Sequence, residues 1–162
     1  TWDSIRDGFD RLLAVRPQEI QVGILKRLKG APIARHAEPH KMVFSSLAPY
    51  EVIQTATLDF EHMQRLKRFA RYFELYYNSG NFPASLDALL KTPPSPFDAF
   101  MAFSDRLWAS LGRTHGINLA RLCEAIYRHL IGTCGVSPET ASLAVQSDYH
   151  RVHGRTEKLA FF

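Results

Sequence analysis

No apolar run in this sequence approaches the ~20 residues needed to span a bilayer, so a membrane is not an expected partner. Cysteine is almost missing. Cys123 and Cys134 are the two in the chain, and their spacing forms neither a C-x-x-C pair nor a zinc pattern. Cys123 falls among the apolar positions of a helical pattern, where a free cysteine acts as a small buried hydrophobe. A reduced, cytoplasmic protein is the simplest expectation. The opening residues Trp2-Asp3-Ser4-Ile5-Arg6-Asp7 lack a basic region leading into an apolar core, so they do not read as a signal peptide. There is no G-x-S-x-G elbow and no glycine-rich phosphate loop, which removes the usual marks of a serine hydrolase or an NTPase. Internal repeats and low-complexity tracts are absent too.

What is present is ordinary globular material. A hydrophobic fraction of 46% with 22% charged residues argues against disorder. A length of 162 residues suits one domain, or one domain plus a fragment. The net charge is +4, but Lys and Arg are mixed with Asp and Glu along the chain. A phosphate-binding stripe is therefore not implied, and nucleic acid is not an expected partner.

The start of the chain carries Trp2, Ile5, Phe9, Leu12 and Leu13 at spacings of three or four, with Arg6, Asp7, Asp10 and Arg11 between them. That spacing predicts a helix with one buried stripe, capped by Thr1 or Asp3 and ended by Pro17. Ile20, Val22 and Ile24 then alternate with Gln21 and Gly23, as in a strand. Leu25–Leu28 reads equally well as more strand or as a helical turn. Gly30 and Pro32 close this αβ unit. A single such unit cannot bury both faces of a parallel strand. Together with a start at Thr1 rather than methionine, this makes the chain read as part of a larger α/β enzyme.

Residues 34–58 are irregular and read as a connector with an edge strand at 42–44. From Asp59 onward the pattern is helical. Met63, Leu66, Phe69, Ala70, Phe73 and Tyr76/Tyr77 form the stripe of a helix over 59–78, stopped by Asn78-Ser79-Gly80. A short helix comes next, at about Pro83–Leu90. The one after it is capped by Ser95-Pro96, carries Phe97, Phe100, Met101, Trp108 and Leu111 inward, and stops at Gly112. Leu119 to Ile131 gives the strongest periodicity. Ser137-Pro138-Glu139 opens a last helix with Ala141, Ala144, Val145 and Tyr149 inward. The expected fold is mainly α: a compact bundle of about five helices, preceded by a helix–strand unit.

Candidate chemistry is sparse. His36 and His40 are four apart, but Pro39 disfavours the helix that would place them on one face. His150 and His153, among Arg151 and Arg155, have no carboxylate or cysteine placed as a third ligand. His62 and His129 lie within helices, where a solvated or singly hydrogen-bonded ring is the default. No metal site is predicted, and no catalytic set converges. Glu51, Asp59 and Glu61 cluster near a helix start, where acids mainly favour the dipole. Arg65, Lys67, Arg68 and Arg71 can be read as an anion-binding face or as a solvated helix face. Phe69, Tyr72, Phe73, Tyr76 and Tyr77 suggest a packed core more than a base-stacking platform.

Three stretches carry a resemblance: EIQVGILKRLKGAPI at 19–33, Ala48-Pro49-Tyr50-Glu51-Val52, and Tyr76-Tyr77-Asn78-Ser79-Gly80. In this order the chain resembles the C-terminal part of cobalamin-binding radical S-adenosylmethionine proteins, among them those called anaerobic magnesium-protoporphyrin monomethyl ester cyclase or Fe–S oxidoreductase. Residues 95–162 match mainly in helix pattern. The resemblance implies that 1–33 is the C-terminal remnant of a (β/α) barrel, 34–58 a connector and 59–162 a helical C-terminal domain. It implies a parent that uses an iron–sulfur cluster, S-adenosylmethionine and cobalamin. The cluster's C-x3-C-x2-C motif is absent here, so no ligand carries over to Cys123 or Cys134 and the chain itself is expected to hold no cofactor. Gln21 and Gly23 are the positions expected to face a cofactor of the parent, a glycine allowing close approach to backbone; tight packing is the other reading of Gly23. Pro49, Tyr50 and Glu51 are expected at the substrate entrance. The function implied is a non-catalytic accessory domain that covers the barrel. Expected partners are the upstream barrel and cobalamin domains, or a second copy through the edge at 20–24. The alternative is an independent helical module whose basic face meets an acidic partner or RNA.

Overall fold

A computed structural model describes residues 1–152 together with Leu159 and Phe161. Six α-helices run in the order α1 (Trp2–Ala14), α2 (Phe60–Phe73), α3 (Pro83–Leu90), α4 (Pro96–Leu111), α5 (Leu119–Gly132) and α6 (Pro138–Arg151). Between α1 and α2 lie a 3-10 turn at Pro32–His36 and two short antiparallel strands, β1 (Val43–Phe44) and β2 (Val52–Gln54). The protein is thus mainly helical, with α2–α6 as the bundle and α1 laid against it. No helix among the described residues is long and apolar enough to cross a membrane. His153 and Arg155 lie outside the described residues.

Local sequence starts most of these helices. Thr1 and Ser4 form a reciprocal capping box on α1. Asp59, Ser95, Asn118 and Ser137 each accept a backbone N–H from the first turn of α2, α4, α5 and α6. Helix α3 has no such cap of its own: Phe82 precedes it. Its start is held instead by Asp148 of α6, whose carboxylate accepts Ala84 N–H at 3.0 Å and Ser85 N–H at 2.8 Å while only 1% exposed. In the same way Asp10 of α1 accepts Phe97 N–H at 2.8 Å, at the start of α4. A buried carboxylate at a helix N-terminus is stabilised by the orphan N–H groups and the dipole.

The core is aromatic. Phe9 of α1 meets Phe69, Phe73 and Phe97 edge-on, with centroids 5.1, 5.1 and 5.7 Å away. Phe69 also contacts Phe100, and Tyr76 continues the cluster to Phe82 and Phe103. Edge-to-face pairs at these distances add to the area they bury.

Four expectations change. First, residues 20–24 alternate inside and outside like a strand, with Ile20 buried and Gln21 and Gly23 exposed, yet they carry no ladder. A strand needs a partner, and one arrives only at Lys26, which bridges Glu51 antiparallel. Second, the helix over 59–78 is α-helical to Phe73 and then widens into a π-helical turn, Glu74–Asn78. Third, Trp108 is 40% exposed, and Phe103 and Leu107 are inward in its place. Its ring carries the Arg68 guanidinium at 5.1 Å, a contact that suits a surface indole. Fourth, His129 is 2% exposed rather than solvated. It lies against Phe103, and its Nδ1 has no partner among the described residues. Burial, helped by the charge of Arg106, lowers its pKa from 6.5 to about 4.

Two measurements check this frame. Asp148→Ala strands two buried N–H groups and should cost ~2–3 kcal/mol in denaturant unfolding; a loss below ~0.5 kcal/mol would show that Asp148 does not hold α3. For His129, the unfolded ring takes up a proton first as pH falls below its ordinary value. Its contribution is therefore intact above about pH 6.5 and lost towards pH 4, about 2 kcal/mol being gone by pH 5. Replacing it in His129→Gln should flatten the stability profile between pH 7 and 5.

Candidate functional site

The π-helical turn positions the first group of side chains. Such a turn inserts one residue into the α-helical repeat and re-aims the side chains beyond it, often at functional places. Here it sends three successive side chains to separate anchors. Tyr76 is fully buried and donates its hydroxyl to Leu122 O at 2.9 Å; burial holds that phenol well above its ordinary pKa. Tyr77 stacks on Phe73 and donates to Pro17 O at 2.5 Å. Asn78 grips Ile20 in both directions, Oδ1 accepting Ile20 N–H and Nδ2 donating to Ile20 O, each at 3.0 Å. The Asn78 amide is itself oriented by Glu74 at 2.7 Å.

This clamp fixes how the segment after α1 leaves the bundle. Ile20 is 4% exposed, and Val22 and Ile24 pack against the core, so Gln21 and Gly23 face outward. A Cβ added at Gly23 would meet nothing within 4 Å, and its φ is not left-handed. Close packing within this chain is therefore not what the glycine serves. Further along, Val52 N–H donates to Leu25 O at 2.8 Å and Arg27 N–H to Tyr50 O at 2.9 Å. The connector thereby comes to lie beside the segment that carries Gln21 and Gly23.

Pro49 and Tyr50 are exposed, and Tyr50 has a φ of 59°, the left-handed region. Glu51 is turned inward, where Lys67 of α2 meets its carboxylate at 2.5 Å. A cleft of about 290 Å³ opens here, lined by Ile24, Pro49, Glu51, Met63 and Lys67 among others. The structure thus brings the two predicted groups, 21/23 and 49–51, onto adjacent segments. Together they present an exposed amide at Gln21 and an exposed phenol at Tyr50.

The basic residues of α2 are already engaged. Arg65 makes a forked pair with Asp105, the shorter contact being 2.7 Å, and lies over the Trp2 ring. Lys67 holds Glu51, Arg68 covers Trp108, and Arg71 reaches Thr114 O at 3.4 Å. Asp59 caps α2 and accepts from His62, contacts that lower its pKa. The rings of His36 and His40 are 6.0 Å apart. Among the described residues, no three His, Cys, Asp or Glu side chains come together as a metal site.

Sequence reasoning missed a larger cleft. About 500 Å³ lies between the end of α1, the π-helical turn and α3, lined by Leu13, Pro17, Tyr77, Leu86 and Leu90, with Asp10, Asp87 and Lys91 as charged neighbours. Its size and apolar lining fall in the range of small-molecule sites. The signals were faint: a Tyr-Tyr pair at a helix end, and an acid, Asp10, beside the apolar stripe of α1. Asn78 read as a helix stop because its partner is far away in sequence.

Compared with known proteins, a family model described as "Protein of unknown function (DUF4080)" matches residues 38–158. No curated protein and no solved structure matches the chain.

Removing the clamp tests its role. Asn78→Ala should cost ~1–2 kcal/mol and raise amide exchange at Ile20 and Leu25–Arg27, leaving α5 protected. By contrast Gly23→Ala should change stability by less than ~0.5 kcal/mol, since the added methyl meets open space. Unchanged exchange at Ile20 in Asn78→Ala would show that the amide does not hold this segment.

Proposed function

The chain belongs to the DUF4080 family through residues 38–158, and from that premise we propose that it is a non-catalytic accessory domain of a radical S-adenosylmethionine Fe–S oxidoreductase. In this reading residues 1–33 close a catalytic barrel, 34–58 connect, and 59–162 form a helical cover that shapes substrate access. The family description assigns no activity, so the reading draws its chemistry from the sequence resemblance at 19–33, 48–52 and 76–80.

One structural observation supports it best. Gln21 and Gly23, expected to face the parent's cofactor, and Pro49-Tyr50-Glu51, expected at its entrance, are far apart in sequence yet lie on adjacent segments. The Tyr76–Asn78 stretch of the same resemblance is what anchors them to the bundle. The three matching stretches form one connected unit.

The residues of this chain do not fit an iron–sulfur cluster. Cys123 is fully buried in α5, and the described residues offer no grouped ligands. Cluster, S-adenosylmethionine and cobalamin would be held by upstream barrel and cobalamin domains in a cytoplasmic parent, the partners of this domain. Its own part is steric and orienting. The rival reading, an independent helical module using the basic face of α2, would have to draw on Arg65 and Lys67, which are ion-paired with Asp105 and Glu51 within the fold.

The purified 162-residue chain should contain no stoichiometric iron and bind no S-adenosylmethionine in equilibrium dialysis. In the longer polypeptide, Tyr50→Ala should raise KM several-fold with cluster content unchanged. Iron or S-adenosylmethionine bound one-to-one by the chain alone would overturn the proposal.

A further inference from the structure

Charge and backbone together mark a surface that the fold of this chain leaves open. Between residues 26 and 41 stand Lys26, Arg27, Lys29, Arg35 and Lys41 against Glu38 alone, a net +4 that equals the charge of the whole chain. All five cations are exposed. Among the described residues none of them forms an ion pair, whereas Arg6, Arg65, Lys67, Lys91, Arg121 and Arg128 all do. Arg27 instead lies over the Phe44 ring at 5.9 Å, and Arg35 meets the neighbouring His36 ring. A run of exposed cations of one sign raises the local positive potential, which attracts an anionic partner.

The same run begins on an open sheet edge. The pairing with Tyr50 and Val52 uses Leu25 O and Arg27 N–H. Successive backbone groups of an extended segment point to opposite sides, so the N–H groups of Val22, Ile24 and Lys26 face away from that partner. Among the described residues they make no hydrogen bond. Aliphatic side chains stand exposed on this segment: Leu25 at 42% and Leu28 at 61%. A cleft of about 800 Å³, lined by Arg27, Lys29, Phe44, Ser46 and Tyr50 among others, lies within the surface.

We infer that the 22–26 edge and the basic segment continuing from it form a docking surface for an acidic, aliphatic-rich extended segment of a protein partner, which adds to the sheet as a further strand. Each observation selects a part of that chemistry. The unused N–H row calls for a strand's carbonyls, the exposed Leu25 and Leu28 for aliphatic side chains, and the cations without ion pairs for Glu or Asp. RNA would favour exposed aromatic faces, whereas Tyr50 is the exposed aromatic here. A lipid surface would leave the N–H row unanswered. A second copy would bring the same cations to the contact. The radical-enzyme reading would lay a barrel strand on this same edge, so the two are told apart by their tests. Iron or S-adenosylmethionine bound by the chain would overturn that reading alone. Failure of an acidic Val/Glu peptide to bind would overturn this inference alone.

The test uses the whole chain and a fluorescein-labelled peptide of about eight residues with alternating Val and Glu, its binding measured by anisotropy. Binding should weaken at least tenfold in the Lys26→Glu/Arg27→Glu double variant and fall steeply with added salt. Lys26→Pro, which removes the outward N–H, should bind more weakly than Lys26→Ala. Both positions are exposed, so circular dichroism melts should be unchanged and loss of binding is not loss of fold. The inference is overturned if the peptide does not bind at millimolar concentration, or if a Val/Lys peptide binds equally well. Tighter capture of poly(U) RNA or phosphatidylserine vesicles, or self-association lost in the double variant, would overturn it too.

Discussion

The aromatic cluster around Phe69 is the interaction on which the rest of this structure depends. Phe69, Phe73, Phe97 and Phe100 join α2 to α4, and Phe9 brings α1 onto the same cluster. Because α1 is fixed there, the chain that leaves it is fixed as well. Asp10 can reach the start of α4 and Pro17 can accept from Tyr77 only with α1 in this place. Phe9 thus sets where segment 17–27 starts, and Tyr77 and Asn78 set its route past the bundle.

A second constraint comes from helix ends. Helix α3 is short and begins without a cap of its own, so it relies on a carboxylate from α6, distant in sequence. Buried N–H groups must be satisfied somewhere. The fold answers with tertiary capping, which makes Asp148 and Asp10 structural even though both look like surface acids. The π-helical turn after α2 does comparable work for the segment beyond α1, since its altered spacing lets Tyr77 and Asn78 reach that segment while Tyr76 stays in the core.

These devices also explain what the molecule offers to partners. On α2, Arg65 and Lys67 are ion-paired with Asp105 and Glu51, while Arg68 lies over Trp108 and Arg71 reaches Thr114 O. Along residues 22–41, by contrast, the N–H groups of Val22, Ile24 and Lys26 make no hydrogen bond among the described residues, and five exposed cations stand there without an ion pair. Membership of the DUF4080 family covers 38–158, so the connector lies largely inside the shared region and segment 20–27 ahead of it.

The sequence by itself determined the helices. Apolar spacing, the caps Asp59, Ser95, Asn118 and Ser137, and the left-handed glycines Gly80 and Gly112 place α2 to α6, because these are local interactions within a turn or two. The resemblance singled out Gln21, Gly23 and Pro49-Tyr50-Glu51 as expectations, and only the fold put their segments side by side. Tertiary structure alone decided that Asn78 clamps Ile20, that Asp148 caps α3, that His129 is buried and that 20–24 alternates without a ladder. Each of these depends on how distant segments meet, and a periodicity says which side of an element is apolar without saying what meets it. The edge at 22–26 is the clearest case: its alternation is written in the residues, and its lack of a partner is visible only once the chain has folded.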